Sequence, residues 1–287
     1  MHSKLEEISD GIFAYVQGRG EWFVNNTGLI TTKEFSIAID SVVNEERAKI
    51  MLSKFREVTR SQIKILVNTH GHGDHVWTNH LFNATSICHE NCRKDTIMAN
   101  PEVFKSIFPE FDFSGAKVTP QDVTFSTEVK IHAENLEIRL IHPGVAHTSG
   151  DAYVYIPERK IVFCGDLLFA KPCTPFVLMG SVLGNIKALK ELLNLDAEIY
   201  VPGHGNVATK DEVREAIEYL EFVYNEAKLG IEKGMSFHEA IRDLELGRFK
   251  NWSEKERIVA NLARAYAELS SHEINLFEIV RLMRDWK

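Results

Sequence analysis

Short apolar or alternating runs dominate the chain up to residue 207, and helical stripes dominate it from Thr209 onward. Residues 5–16 read as two short strands about Asp10-Gly11, a strong hairpin turn signal. Residues 21–31 and 35–40 predict two more strands. A helix is expected from Asn44, a good N-cap followed by Glu45 and Glu46, with Ala48, Met51, Phe55 and Val58 on one face. Ile63-Lys64-Ile65-Leu66-Val67 reads as a buried strand, residues 76–82 as helical, and residues 85–89 as a strand. Residues 89–125 are poorly patterned. Pro101, Pro109 and Pro120 interrupt them, and Phe104, Phe108, Phe111 and Phe113 cluster there as a lid or, the preferred assignment, a satellite core. Residues 136–141 alternate as a strand, and 152–156 with 161–164 predict a hairpin ending at Asp166. The apolar segment 167–180 has no helical period and is a candidate pocket wall. A helix over 181–194 and a strand over 198–201 follow.

Beyond Thr209, three Ser/Thr-x-x-Glu sequences, at Thr209, Ser236 and Ser253, match capping boxes. Val213, Ile217, Leu220, Tyr224, Ala227 and Ile231 form one stripe; Ile258, Leu262, Ala265 and Leu269 form another. These are packing faces, either against the preceding domain or against a second copy of the chain. The change of texture divides the chain into a domain at 1–207 and a helical C-terminal extension at 208–287.

Composition adds limits. The 287 residues are 44% hydrophobic and 26% charged, within the range of globular proteins. No apolar run reaches the roughly 18 residues of a membrane-spanning helix. The polar N-terminus has no signal-peptide core, so the expected location is the cytoplasm. A net charge of −8 argues against a broad nucleic-acid surface. Cys88, Cys92, Cys164 and Cys173 contain no Cys-x-x-Cys pair and imply no disulfide framework.

The chemistry concentrates after the strand at 63–67. Thr69-His70-Gly71-His72-Gly73-Asp74-His75 places four metal-binding side chains within six residues. Imidazole and carboxylate suit zinc, iron and manganese. Residues two apart in extended chain project to one side, so His70 and His72 can share an ion. Asp74 and His75, past the turn, can face a second.

His70-x-His72-x-Asp74-His75 resembles the signature of the metallo-β-lactamase superfamily. His147 in Gly-Val-Ala-His-Thr-Ser-Gly-Asp, Asp166 in Phe-Cys-Gly-Asp and His204 in Val-Pro-Gly-His-Gly continue the resemblance, which covers most of residues 5–207. It implies an α+β fold, a four-layer αββα sandwich. It also implies that His70, His72 and His147 hold one metal, that Asp74, His75 and His204 hold another, and that Asp166 bridges them. Zinc is the first expectation for the two divalent ions, with manganese and iron as alternatives. In the family an aspartate matching Asp40 stands behind the ligands, where it can orient a histidine ring; the alternative is a solvated strand end.

The resemblance therefore implies a hydrolase that uses a bridging hydroxide on a binuclear site, with Asp74 orienting the nucleophile and passing a proton. The expected substrate is a small carbonyl compound: an ester, thioester, lactone or related amide, as in glyoxalase II and lactonases. Trp77, Phe169, Lys171 and Phe176 are candidate substrate contacts, with core packing the preferred reading of Trp77. Secreted β-lactamases usually carry a leader, and many replace the bridging aspartate with cysteine, so β-lactams are at most incidental substrates. Phosphodiesterase or ribonuclease activity and iron-dependent redox chemistry are the alternatives. The RNA-processing branch carries motifs this chain lacks, no flavodoxin-like module fits after residue 207, and the second ligand set is complete. The expected partner is a small molecule, with no nucleic acid and no membrane, and with a homo-oligomer through the C-terminal helices left open.

Overall fold

In the computed structural model, which describes residues 3–270 and 273–286, the Asp10-Gly11 signal joins β1 (Ser3–Ser9) to β2 (Ile12–Gln17), with Gly11 at φ +69°. β3 (Thr27–Thr31) and β4 (Ser36–Ile39) continue this antiparallel sheet. After helix α1 (Glu45–Val58), β5 (Ile63–Val67), β6 (Thr85–His89) and β7 (Val123–Phe125) add in parallel, completing seven strands in chain order. A second sheet has the order β12-β11-β10-β9-β8. It comprises β8 (Glu128–Ala133), β9 (Leu136–Ile141), β10 (Tyr153–Ile156), β11 (Ile161–Phe169) and β12 (Ile199–His204). The β11–β12 pair is parallel and the others antiparallel.

The two sheets bury one face each against the other. Ile12, Ile30, Ile37 and Val67 meet Ile138, Val154, Ile161 and Phe163. Outside the first sheet, Phe13, Leu29 and Leu66 are covered by Ala48, Met51 and Phe55 of α1. Outside the second lie α5 (Val182–Asn194), α6 (Lys210–Glu232) and α8 (Arg257–Ser270), covering Tyr153, Val162 and Cys164. This is the αββα order. Every residue of β11 is buried because helices cover one of its faces and the other sheet covers the opposite one.

The C-terminal stripes are used within the chain. Val213, Leu220, Ile258, Leu262 and Ala265 share one continuous core with Leu168, Leu189 and Tyr200, so packing runs unbroken across residue 207. Two of the three predicted capping boxes form, at Thr209 for α6 and at Ser236 for α7 (Phe237–Asp243). The third does not. Ser253 Oγ instead donates to Pro172 O at 3.2 Å, and Glu256 accepts from Trp22 Nε1 at 2.7 Å. Tertiary hydrogen bonds have claimed both side chains.

Four further expectations are corrected. Residues 21–26 are a loop, with Phe23 at φ +59°; Asn25 bonds to Ser41 O, and Asn26 to Pro202 O of β12 and to Gly205 O, rather than extending the first sheet. Val58 is 41% exposed in the last turn of α1, and the buried face is Ala48, Met51, Leu52 and Phe55. β11 runs past Asp166 to Phe169. The helix near His75 starts earlier than expected: α2 spans Gly73–Val76 and holds Asp74 and His75 itself. The irregular 89–125 stretch contains α3 (Glu90–Met98) and α4 (Pro101–Ile107), the latter capped by Asn100 with Pro101 at its first position.

Candidate metal centre

Strand ends deliver the polar side chains to one rim of the sandwich. β4 leads into Asp40, β5 leads into Thr69 and His70, and β12 ends on His204. The parallel register pairs Gly165 with Pro202 and Phe169 with His204, which sets Asp166 against Gly203. A Cβ on Gly203 would collide with Asp166 Oδ1, so only glycine lets this carboxylate sit there. Gly73 has the same role over the buried Trp77 ring.

Two sets of donor atoms converge, His70, His72, His147 and Asp166 in one and Asp74, His75 and His204 in the other. Within each set the atoms lie within 4.8 Å of one another. Asp166 stands between the sets. Its Oδ2 is 3.4 Å from His147 Nε2, 3.4 Å from His204 Nε2 and 3.7 Å from His70 Nε2, while its Oδ1 is 3.2 Å from His75 Nε2. Asp74 Oδ2 lies 3.4 Å from His204 Nε2. His147 Nε2 is 2.9 Å from His72 Nδ1.

The surroundings decide which ring nitrogen faces inward. His147 Nδ1 donates to Phe176 O at 2.6 Å and His204 Nδ1 to Val24 O at 3.0 Å. His75 Nδ1 donates to Asp40 Oδ2 at 2.9 Å. Thr69 Oγ1 donates to the same Asp40 oxygen at 2.7 Å and accepts from His70 Nδ1 at 3.2 Å. Each Nε2 lone pair is thereby turned toward the centre, the usual arrangement behind metal-binding histidines. Asp40 is buried and held at φ +60°, a conformation that aspartate tolerates better than most residues.

Charge follows from burial and from the carboxylates. Burial depresses His70 and His72, and takes His147 down to about 3, so these three stay neutral. Burial also works against charge on His75 and His204, but Asp166 and its neighbouring carboxylates outweigh it and raise both. Burial would raise Asp166, yet the imidazoles of His204, His75 and His70 hold it well below the usual carboxylate range. Asp74 is lowered in the same way, His75 and His204 overcoming its burial.

Neutral imidazoles and ionised carboxylates are the forms that bind a divalent cation; His70, His72, His147, Asp74 and Asp166 are held in those forms, and His75 and His204 would give up their protons to a bound ion. Three buried atoms at the centre, His70 Nε2, His75 Nε2 and Asp166 Oδ1, have no hydrogen-bond partner. Orphaned buried polar atoms are costly, and a cation among them would satisfy all three. The residues fit a metal centre.

The family's sequence profile, described as the metallo-beta-lactamase superfamily, matches residues 20–204. The chain belongs to the metallo-β-lactamase superfamily. Members of this superfamily are generally metallohydrolases, and the chain carries the His/Asp cluster suited to divalent metals. A hydroxyacylglutathione hydrolase of Pelagibacter ubique is 31% identical over 58% of this chain and 63% of its own length. The alpha subunit of a 2,4-dinitroanisole O-demethylase from Nocardioides is 27% identical over 71% of this chain, and the match spans 56% of that subunit. A beta-lactamase-like protein 2 homolog of Caenorhabditis elegans is 25% identical over 84% and 77% of the two chains. A solved metallo-beta-lactamase from Pontibacter korlensis superposes with a TM-score of 0.62 at 18% identity, covering 77% of this chain and 99% of its own, which shows the shared fold.

Over the superfamily ligands lies a cavity of about 380 Å³. Phe169 and Phe176 line it. Trp77 and Lys171 do not. Trp77 is fully buried, packs against Phe104 and Phe113, and donates Nε1 to Ala99 O at 2.8 Å. Lys171 pairs with Glu215 at 3.0 Å, outside the cavity. The wall also includes Leu178, within the predicted 167–180 segment, and Trp22 and Arg257, which the sequence did not single out. Asn25 and Asn26 were also missed. Asn26 Nδ2 donates to Pro202 O and Gly205 O at 3.0 and 2.7 Å, clamping the His204 turn, and Asn25 Nδ2 donates to Ser41 O at 2.8 Å. Their signal was available as a polar doublet inside an apolar run.

The C-terminal helices reach the same wall. Asn261 of α8 binds Val177 N and Pro175 O, and Arg264 binds Leu178 O, all within 2.7 Å. Phe176, inside this gripped segment, supplies the carbonyl that orients His147.

Proposed function

We propose that this protein is a binuclear metallohydrolase that cleaves a small carbonyl substrate: an ester, thioester, lactone or related amide. The placement of Asp166 carries this reading, since one buried carboxylate touches histidines of both donor sets and has an oxygen with no other partner. His70, His72 and His147 would hold one ion, Asp74, His75 and His204 the other, and Asp166 would contact both. When bound, two divalent ions, zinc foremost, supply a water acidified to a pKa of about 7 and Lewis-acid polarisation of the scissile carbonyl.

The chain's own groups do the remainder. Asp74 lies on the cavity floor as an ionised carboxylate, placed to accept a proton from the attacking water and return it to the leaving group. Phe169 stacks on His204 with ring planes 3° apart, restricting that imidazole and keeping bulk water from it. The apolar wall admits an uncharged carbonyl compound more readily than a nucleic-acid backbone. The similarity to a hydroxyacylglutathione hydrolase supports carbonyl chemistry. Four buried, unpaired cysteines suit a reducing compartment, consistent with a cytoplasmic location. None of the described helices is long and apolar enough to cross a membrane.

The test is metal analysis of the purified protein together with a turnover panel of thioesters, lactones, β-lactams and phosphodiesters. About two zinc or manganese ions per chain with carbonyl hydrolysis are expected. A single iron per chain with oxygen uptake would overturn the reading in favour of redox chemistry.

A further inference from the structure

The cavity above the ligands is closed by segments far apart in sequence, and nearly everything they present is hydrocarbon. One wall is α4 with its following residues, through Phe104, Ile107 and Phe108; the facing wall is α9 (Leu276–Asp285), through Phe277, Val280 and Met283. The floor is His72, Asp74, Asp166 and His204. The cavity thus opens directly onto the reacting centre.

Outside that floor, among the described residues, a single charged side chain lines it, Arg257, and this cation is already engaged. Arg257 Nη1 donates to Cys173 Sγ and Thr174 O, both at 3.0 Å, and Nη2 to Gly20 O at 2.9 Å. Its guanidinium lies 4.5 Å from the Trp22 ring and 5.3 Å from that of Phe169. Covered by aromatic rings and bonded to the chain, it is a strut that ties α8 to the wall. Among the described residues the cavity offers no accessible cation for a substrate carboxylate.

The mouth is apolar as well. Phe277 is 72% exposed, Met179 53%, Val103 50% and Leu276 43%, and all four line this one cavity. Large exposed apolar groups gathered at one opening mark a binding surface rather than random scatter. The two walls are braced against each other. Ile279 and Met283 anchor α9 in the core, while Arg284 lies over the Phe108 ring at 5.5 Å and bonds Ile107 O and Glu110.

Resting on the hydrolase reading above, we propose that this cavity selects uncharged esters, thioesters or lactones with a long apolar acyl group, and that α9 is the element that sets this preference. The carbonyl reaches the floor and the acyl chain lies between α4 and α9. Each methylene buried there raises kcat/KM about three- to fourfold until the space is filled. A charged leaving group such as glutathione gains nothing from the wall.

The test uses the metal-loaded enzyme with acetyl and octanoyl thioesters of N-acetylcysteamine and the lactoyl thioester of glutathione. The octanoyl compound is expected to exceed both others in kcat/KM by at least tenfold. In Phe277→Asp/Val280→Asp the octanoyl-to-acetyl ratio is expected to fall at least tenfold; Phe277 is largely exposed, and Phe277→Asp alone serves should the double variant fail to fold. Equal rates for acetyl and octanoyl substrates, preference for the glutathione thioester, or an unchanged ratio in the variants would overturn the proposal. A binding arm separates it from the hydrolase reading. The uncharged ketone 2-nonanone is titrated into metal-free protein and followed by Trp22 emission, with Trp22→Phe subtracting the other tryptophans. Binding that weakens in the α9 variants supports the apolar cavity even if no thioester is hydrolysed; absence of binding overturns it even if one is.

Discussion

At the ligand rim, His70, His75, His147 and His204 each have the outer ring nitrogen bonded to a named acceptor, and Asp40 and Thr69 brace two of them at once. Across the cavity, Phe277, Val280 and Leu276 of α9 touch the same space with no polar bond to fix where their side chains lie. The rim is set by directional contacts between strand ends, where the backbone has little freedom. The wall is set by non-directional burial of residues drawn from the 22–23 loop, α4, residues 176–179 and α9. Directional contacts hold a reacting geometry to fractions of an ångström, which chemistry requires. Apolar walls tolerate substitution of shape for shape, which makes them the natural place for substrate preference to change while the reaction stays the same.

That contrast breaks most sharply at Asp166. Asp166→Ala removes the one carboxylate common to both donor sets and is expected to lower kcat/KM by far more than the roughly 10–100-fold typical of residues that only support a ligand. Metal content per chain should fall, while far-UV circular dichroism keeps its shape. Unchanged hydrolysis in this variant would end the two-ion reading.

One layer behind, Asp40→Ala should weaken metal affinity or activity by about 10–100-fold. Asp40→Asn provides the control for backbone effects, since asparagine accepts the +60° φ as readily as aspartate. If the asparagine variant binds metal as tightly as the parent protein, the Asp40 carboxylate does not orient His75 and the rim is less determined than its hydrogen bonds suggest.

The smallest expected effect is on the metal-free protein's stability. His70, His72 and His147 have folded-state pKa values below the ordinary 6.5, His147 at about 3, so the unfolded chain binds more protons on acidification. Their contribution is present above about pH 6.5 and lost as pH falls below it. His75 and His204, raised by Asp166 and its neighbours, contribute stability that is complete below about pH 6.5 and is lost as pH rises through their folded values. Thermal melts of metal-free protein should therefore show a maximum near neutral pH. A melting temperature that climbs steadily from pH 6.5 to 4.5 would contradict the burial of these imidazoles.

Much of the centre was legible before the fold was known. His70, His72, Asp74 and His75 were legible as a cluster directly after an apolar strand run, and the family resemblance added His147, Asp166 and His204; the structure brings all seven side chains together. The hairpin at Gly11, the Asn44 cap and the two realised capping boxes followed from local chemistry in the same way. The cavity wall was legible only in part. Phe169 and Phe176 belong to a segment marked by its apolarity and its position beside Asp166. Lys171 belongs to the same segment but turns outward to Glu215, and nothing in its neighbours along the chain distinguishes it. Trp77, a site candidate only through its adjacency to His75, takes the preferred core position, turned beneath Gly73 by α2. Leu276, Ile279, Val280 and Met283 recur at helical spacing, but that period cannot say which side meets a cavity nearly two hundred residues upstream.

The sequence alone marked the longer, strongly patterned elements and the donor cluster after β5, because periodicity, caps and ligand chemistry act over a few neighbouring residues; the family resemblance added His147, Asp166 and His204 in their order. Tertiary structure alone decided the rest. It turned Asn26 onto the His204 turn, sent Ser253 and Glu256 to Pro172 and Trp22 instead of capping α8, and made α9 a wall of the cavity. Each of those outcomes depends on which distant surface a side chain meets once the sheets close, and burial and hydrogen bonding across the chain then outweigh the local preference of roughly 1 kcal/mol that a cap or a turn residue supplies.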